Sequence, residues 1–161
     1  MNTFTEFQRF NQPLMYVIFV FVLITTLIPI YFVSQENELQ PRETQIIMWT
    51  GLLPVAIFLF LFFVLQLRTQ IDKQGIHYGF FPFRRNLKLI PWRDIQSCEV
   101  VQYNPLRDYG GWGYRFGRKG KALNIRGNKG IQIEFVGGKK LLIGTQKPQE
   151  AQRAIDRFFI R

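Results

Sequence analysis

The densest set of side chains able to do chemistry lies between Tyr109 and Lys121, where Trp112, Tyr114 and Phe116 alternate with Arg115, Arg118, Lys119 and Lys121 among glycines. Rings interleaved with cations suit an anionic lipid surface, because amphipathic rings settle at the interface and each Lys or Arg near it contributes about 1 kcal/mol. They also suit single-stranded nucleic acid, whose bases stack on aromatic side chains. A structural reading stays open beside both: the rings close the end of a sheet and the cations are simply solvated. Gly111, Gly113 and Gly117 invite comparison with phosphate-cradling loops. Their G-x-G-x-x-x-G spacing fails the dinucleotide fingerprint, no helix signal follows, and no Gly-Lys-Ser/Thr is present. Glycines that permit a tight loop between strands explain them better.

The remaining reactive side chains are few. A single His (His77) and a single Cys (Cys98) exclude an internal disulfide framework, thiolate clusters and multi-histidine metal sites. In their β-rich contexts, His77 reads as a sheet residue and Cys98 as a small buried hydrophobe. The carboxylates beyond residue 67 are Asp72, Asp94, Glu99, Asp108, Glu134, Glu150 and Asp156, and no pair has a local spacing that implies acid/base work. Asp94, in Pro-Trp-Arg-Asp-Ile, reads as a turn residue, Trp92 as one that packs across the sheet, and Asp108 as a partner for Arg107 or Arg115. The expectation is no catalytic residue, no cofactor, no metal and no enzyme.

Two uncharged runs must position whatever the basic segment does. No charged residue occurs in the 26 positions between Arg9 and Glu36, and a second uncharged run covers Thr44–Leu67. Helices at about 14–33 and 46–66 are each long enough, at ~1.5 Å per residue, to cross a hydrocarbon core of roughly 30 Å. Neither shows the polar stripe of a buried core helix. The first lacks a small-x-small cleavage site and a basic n-region, so it reads as an anchor rather than a signal peptide. Phe4, Phe7 and Phe10, spaced by three, read as an interfacial foot. Pro29 and Pro54 each follow a Thr by four residues, Thr25 and Thr50, and read as tolerated kinks because no ionisable residue lies within either helix. The loop 34–43 holds one Lys or Arg, whereas Arg68, Lys73, Arg84 and Arg85 follow the second helix. That asymmetry predicts both termini in the cytoplasm and the loop outside, in a multi-pass protein of the inner or plasma membrane.

From Arg68 to Arg161 there are 19 Lys and Arg against 7 Asp and Glu, an excess of 12 positive charges in a chain whose net charge is +10. Alternation in RTQID and GIHYGFF, then NLKLI, IQSCEVVQYN, KALNI, GIQIEFV and KKLLIG, predicts short strands with glycine turns between them. Pro148 opens a helix over about 147–160, with Ala151, Ala154, Ile155 and Phe158 at helical spacing. The expected fold is α+β: a membrane hairpin over 1–67, then a domain over 68–161. That domain is an antiparallel barrel or sandwich of about seven strands capped by a C-terminal helix.

The order of elements, the IPWRDI step into a long strand and the GTQKPQEAQRAI ending resemble bacterial pleckstrin-homology-like (PH-like) domains. The run YNPLRDYGGWGYRFGRKGKALNIRGNKGIQIEF is similar to a group of uncharacterised small bacterial membrane proteins that join such a domain to two membrane helices. The resemblance implies a fold and a membrane setting, and carries over no reaction and no catalytic residues.

The function this favours is a binding or scaffold module at the cytoplasmic membrane face, meeting anionic headgroups or a membrane protein partner. The candidate contact residues are Trp112, Tyr114, Arg115, Phe116, Arg118, Lys119 and Lys121. The apolar helix faces also suit a homo-oligomer. The alternatives are single-stranded nucleic-acid or nucleotide binding by the same loop, or a subunit or regulator of a membrane complex. Nucleic acid is disfavoured because the domain follows a membrane helix with almost no linker.

Overall fold

The computed structural model describes residues 3–10, 13–35, 41–117 and 119–159. It divides into two units, Phe10–Val64 and the combination of Met1–Arg9 with Leu65–Arg161.

The first unit consists of α1 (Pro13–Ser34) and α2 (Pro41–Val64). Their segments Tyr16–Ser34 and Gln45–Val64 are long and apolar enough to cross a membrane. Gly51 lets the two helices approach, since a Cβ there would lie 2.9 Å from Ile30 Cδ1 and 3.4 Å from Thr26 Cγ2. Lower down, the Tyr16 and Phe62 rings meet edge to face at 5.7 Å. The threonines before the prolines turn backwards. Thr25 Oγ1 donates to the Phe21 carbonyl at 2.9 Å and Thr50 Oγ1 to the Ile46 carbonyl at 2.9 Å. Each hydroxyl serves a carbonyl of its own preceding turn, the local bond a helix offers to Thr.

The second unit holds nine strands and two helices among the described residues: β1 (Phe4–Arg9), β2 (Gln66–Ile71), β3 (Gly75–Phe81), β4 (Lys88–Pro91), β5 (Ile95–Gln102), α3 (Pro105–Tyr109), β6 (Gly113–Gly117), β7 (Gly120–Asn124), β8 (Lys129–Phe135), β9 (Lys140–Gly144) and α4 (Pro148–Phe158). A 3-10 turn at Trp92–Asp94 separates β4 from β5. The strands form a four-stranded sheet, β1-β2-β3-β4, and a five-stranded sheet, β5-β8-β9-β7-β6. Leu67, Ile71, Ile76, Ile131, Ile133, Leu142 and Ile143 are almost fully buried in its core. On α4, Ala151, Ala154 and Ile155 are buried as the helix packs against β5, β8, β1 and β2. The chain is therefore α+β, with two long apolar helices near the N-terminus, two sheets and a C-terminal helix.

Four features differ from the sequence expectation. Residues 4–9 form a sheet strand, not an interfacial foot, and pair with β2 from Phe4↔Ile71 to Arg9↔Gln66. The alternation was disguised because the inward set is Phe4, Glu6 and Gln8, two of them polar. The sheet domain thus begins before the helices and resumes after them, so the helices interrupt it instead of preceding it. The Gly-rich stretch supplies α3 and the extra strand β6, which raises the strand number above seven. Finally, the described strands form no closed barrel, and β7 pairs with β9 in parallel.

Candidate functional site

The Gly-rich segment is organised by an exposed polar cap and a buried polar pair. Asn104 caps α3, its Oδ1 accepting from the amides of Leu106 at 3.1 Å and Arg107 at 3.0 Å. Asp108 returns the favour by accepting the Asn104 amide at 3.0 Å, and its Oδ1 lies 3.2 Å from Lys119 Nζ. The Asn104 amide first, and Lys119 after it, hold the Asp108 carboxyl below its usual range. Of the two arginines the sequence offered, Arg107 acts on Asp108 only through its charge, and the ion pair is made by Lys119 instead of Arg115. Fully buried Asn124 accepts the Gly113 amide at 2.9 Å and donates to Tyr103 Oη at 3.0 Å. Burial pushes the Tyr103 hydroxyl up to about 12, so it stays protonated. Tyr103 and Tyr109 meet edge to face at 5.9 Å and belong to the core.

From this frame β6 and β7 run antiparallel, Tyr114 opposite Leu123 and Phe116 opposite Lys121. Strand alternation turns Tyr114 and Phe116 to one face, where their rings pack edge to face at 5.2 Å. Lys121 Nζ sits 5.2 Å from the Phe116 ring centroid. Gly117 and Gly120 flank the turn because other backbone passes close by. A Cβ on Gly117 would strike the Asp108 carbonyl, and one on Gly120, at φ +102°, the Lys140 carbonyl. The glycines are thus steric devices.

The face carrying Tyr114, Phe116 and Lys121 is one wall of a solvent-open cleft of about 1410 Å3. Its other walls come from β3 and the β3–β4 turn, and from β8, β9 and their hairpin. Six cations line it, Arg84, Lys88, Lys119, Lys121, Lys139 and Lys140, together with six rings, Tyr78, Phe80, Phe83, Tyr114, Phe116 and Phe135. Among the described residues no carboxylate lines it. Two of the cations have partners at its margin, Lys119 on Asp108 and Lys140 on Glu134 at 3.5 Å. Burial raises the Tyr78 hydroxyl above its ordinary value, with Arg84 working weakly against it, so the cleft offers neutral phenol and positive charge together.

Of the residues singled out in the sequence, Tyr114, Phe116, Lys119 and Lys121 come together in the cleft. Trp112 and Arg115 do not line it. Trp112 Nε1 donates to the Gly127 carbonyl at 3.3 Å, and Arg115 Nε donates to the Trp112 carbonyl at 3.0 Å. Arg118 lies outside the described residues. Sequence reasoning missed Tyr78, Phe83, Arg84, Lys88, Lys139 and Lys140, which come from three separate segments. The local signals were the Phe-Pro-Phe-Arg-Arg and Gly-Gly-Lys-Lys turns.

Elsewhere in the sheets, the reactive side chains serve structure. Burial pushes the Cys98 thiol up to about 12, leaving it an unreactive packing group. His77 Nε2 lies 3.0 Å from Asp72 Oδ2 but off the line of a good hydrogen bond. Trp92 Nε1 donates to the Asp72 carbonyl at 2.9 Å, and its ring lies tilted against that of Phe159, the centroids 5.5 Å apart. Among the described residues no three of His, Cys, Asp and Glu converge as metal ligands. No family model matches the chain, and no curated protein and no solved structure matches it either.

Proposed function

We propose that this chain is an integral membrane protein presenting a PH-like binding module at the cytoplasmic face, and that the basic aromatic cleft engages anionic lipid headgroups. The observation that carries the reading is the cleft's lining, six cations and six rings with no carboxylate among the described residues. An anion placed there gains charge attraction from several directions, and the rings favour a ligand that is also apolar. The volume exceeds the usual few hundred to roughly 1,000 Å3 of a small-molecule pocket, which suits a headgroup with adjoining glycerol or chain.

Two further features support the membrane setting. The helices are of spanning length and carry no charge in their apolar segments. Pairing of Arg9 with Gln66 means that the chain leaves the sheet and returns to it at one place. A hairpin that crosses twice satisfies that closure, and the basic flank after α2 favours the cytoplasmic side. The PH-like description rests on two sheets with a C-terminal helix packed against strands of both. The apolar outer faces of α1 and α2 remain free for lipid, a second copy or another membrane protein.

The test uses the full chain in nanodiscs of neutral lipid, titrated with dihexanoyl phosphatidic acid or dihexanoyl phosphatidylcholine. The anionic lipid is expected to bind at least about tenfold more tightly, a difference of ~1.4 kcal/mol, with the preference shrinking as salt rises. Equal binding of the two lipids would sink the proposal. Tighter, strongly salt-dependent binding of a single-stranded oligonucleotide would replace it with the nucleic-acid alternative.

A further inference from the structure

Most of the sheet is held by apolar side chains, but β1 is held differently. Its inward residues Phe4, Glu6 and Gln8 are exposed by only 7%, 4% and 3%, and just one of them is apolar. Glu6 Oε2 accepts the Thr145 hydroxyl at 2.6 Å, and its Oε1 accepts the Gln146 amide at 2.7 Å. Gln8 Nε2 donates to the Gly144 carbonyl at 2.6 Å. All three contacts fall on the step from β9 into α4, where Thr145 Oγ1 also accepts the Lys147 amide at 3.1 Å. Gln8 Oε1 and the neighbouring Thr69 Oγ1, both buried, have no hydrogen-bond partner among the described residues.

This balance makes β1 separable. The Glu6 carboxylate is buried against a hydroxyl and an amide, so its docking depends on those two hydrogen bonds to offset the hydration it gives up. Releasing the strand restores water to Glu6, Gln8 and Thr69. Release gives up one ring from the core and the ladder to β2. The strand is also an edge of its sheet, so its departure breaks pairing on one side only. Elements with few buried apolar contacts open below the free energy of global unfolding.

We propose that β1 is a releasable latch, clasped by Glu6 to Thr145 and Gln146, whose undocking uncovers the edge of β2 while the remaining sheets stay folded. The open form presents Leu67, Thr69 and Ile71 along an unpaired strand, ready to accept another strand of the same pattern. Residues 10–12 are all that separate the latch from α1.

The experiment uses the full chain and a fluorescent peptide of residues 3–10 that competes with β1 for its groove. In a Glu6→Ala chain the internal strand loses its clasp, whereas the peptide keeps its own Glu6. That chain should capture the peptide at least tenfold faster than the parent. A peptide carrying Glu6→Ala should be held less tightly once captured, because it lacks the contacts to Thr145 and Gln146. Amide exchange in Phe4–Arg9 should accelerate in the Glu6→Ala chain while exchange in β8 is unchanged. Oxidising a Thr5→Cys/Gln70→Cys chain, whose two positions face each other across β1 and β2, should abolish capture until reductant is added. The latch is overturned by Glu6→Ala leaving β1 exchange unaltered, by β1 and β8 accelerating together, or by equal capture in the oxidised chain.

Discussion

Asp72 sits at the turn between β2 and β3, where its Oδ1 accepts the Gln74 amide at 2.8 Å and its Oδ2 accepts from Gln70 at 3.1 Å. Burial raises its carboxyl, but the Gln74 amide and the nearby His77 outweigh burial and hold it below the ordinary value of 3.8. A carboxyl depressed in the folded state contributes stability that is present in full above the unfolded value and is lost as pH falls through the folded one. Asp72→Ala should therefore cost about 0.5–1.5 kcal/mol at pH 7, the net range for an intramolecular hydrogen bond at a partly exposed site. Thermal melts of parent and variant should converge as pH drops below the carboxylate range. A gap of constant size from pH 7 to 2.5 would show that the effect is not Asp72 ionisation. Glycines give a second residue-scale contrast. Gly120→Ala meets the Lys140 carbonyl at a positive φ, whereas Gly138→Ala, at φ +74°, meets nothing within 4 Å. Both incur the strain of that backbone, of order 1–2 kcal/mol, but only the first adds a clash. Gly120→Ala should lower the melting temperature clearly further, and equal losses would contradict the close approach.

At the scale of elements, α4 is anchored by Ile155 more than by Phe158. Ile155 is 2% exposed, while Phe158 is only half-buried. Ile155→Ala should cost about 2–5 kcal/mol, and Phe158→Ala distinctly less than the 3–5 expected of a buried Phe. Denaturant unfolding of the full chain would read both, and the reverse order would place the helix differently. Helices α1, α2 and α4 and strands β7 to β9 were legible because apolar period and glycine turns are local signals. β1 was not, since Glu6 and Gln8 occupy its inward positions and a strand with polar residues inside does not alternate in hydropathy. The parallel pairing of β7 with β9 was equally hidden, because neighbours across a sheet leave no mark on either strand. In the candidate site, Lys119 and Lys121 were visible beside Tyr114 and Phe116, but Arg84, Lys88, Lys139 and Lys140 join them only through tertiary folding.

At the scale of the whole molecule, two proposals meet: a hairpin that crosses the membrane and returns, and a cleft that binds anionic headgroups. Topology is open to labelling. A membrane-impermeant thiol reagent added outside should modify a Glu38→Cys chain and spare a Lys119→Cys chain. Native Cys98, buried and with its thiol pushed up to about 12, should contribute little background. Labelling of position 119 but not 38 would invert the assignment. The cleft claim needs a comparison that holds net charge fixed, because a chain of charge +10 attracts anions wherever its cations lie. Lys88→Gln/Lys121→Gln removes two cations from the cleft, and Arg153→Gln/Arg157→Gln removes two exposed cations from α4. The decisive measurement titrates both full-length variants, in neutral nanodiscs, with dihexanoyl phosphatidic acid. The cleft variant should bind about tenfold or more weakly than the parent, at ~1 kcal/mol per cation, and the α4 variant should bind within about twofold of it. Equal losses in the two variants would mean that overall charge, and not this cleft, attracts the lipid.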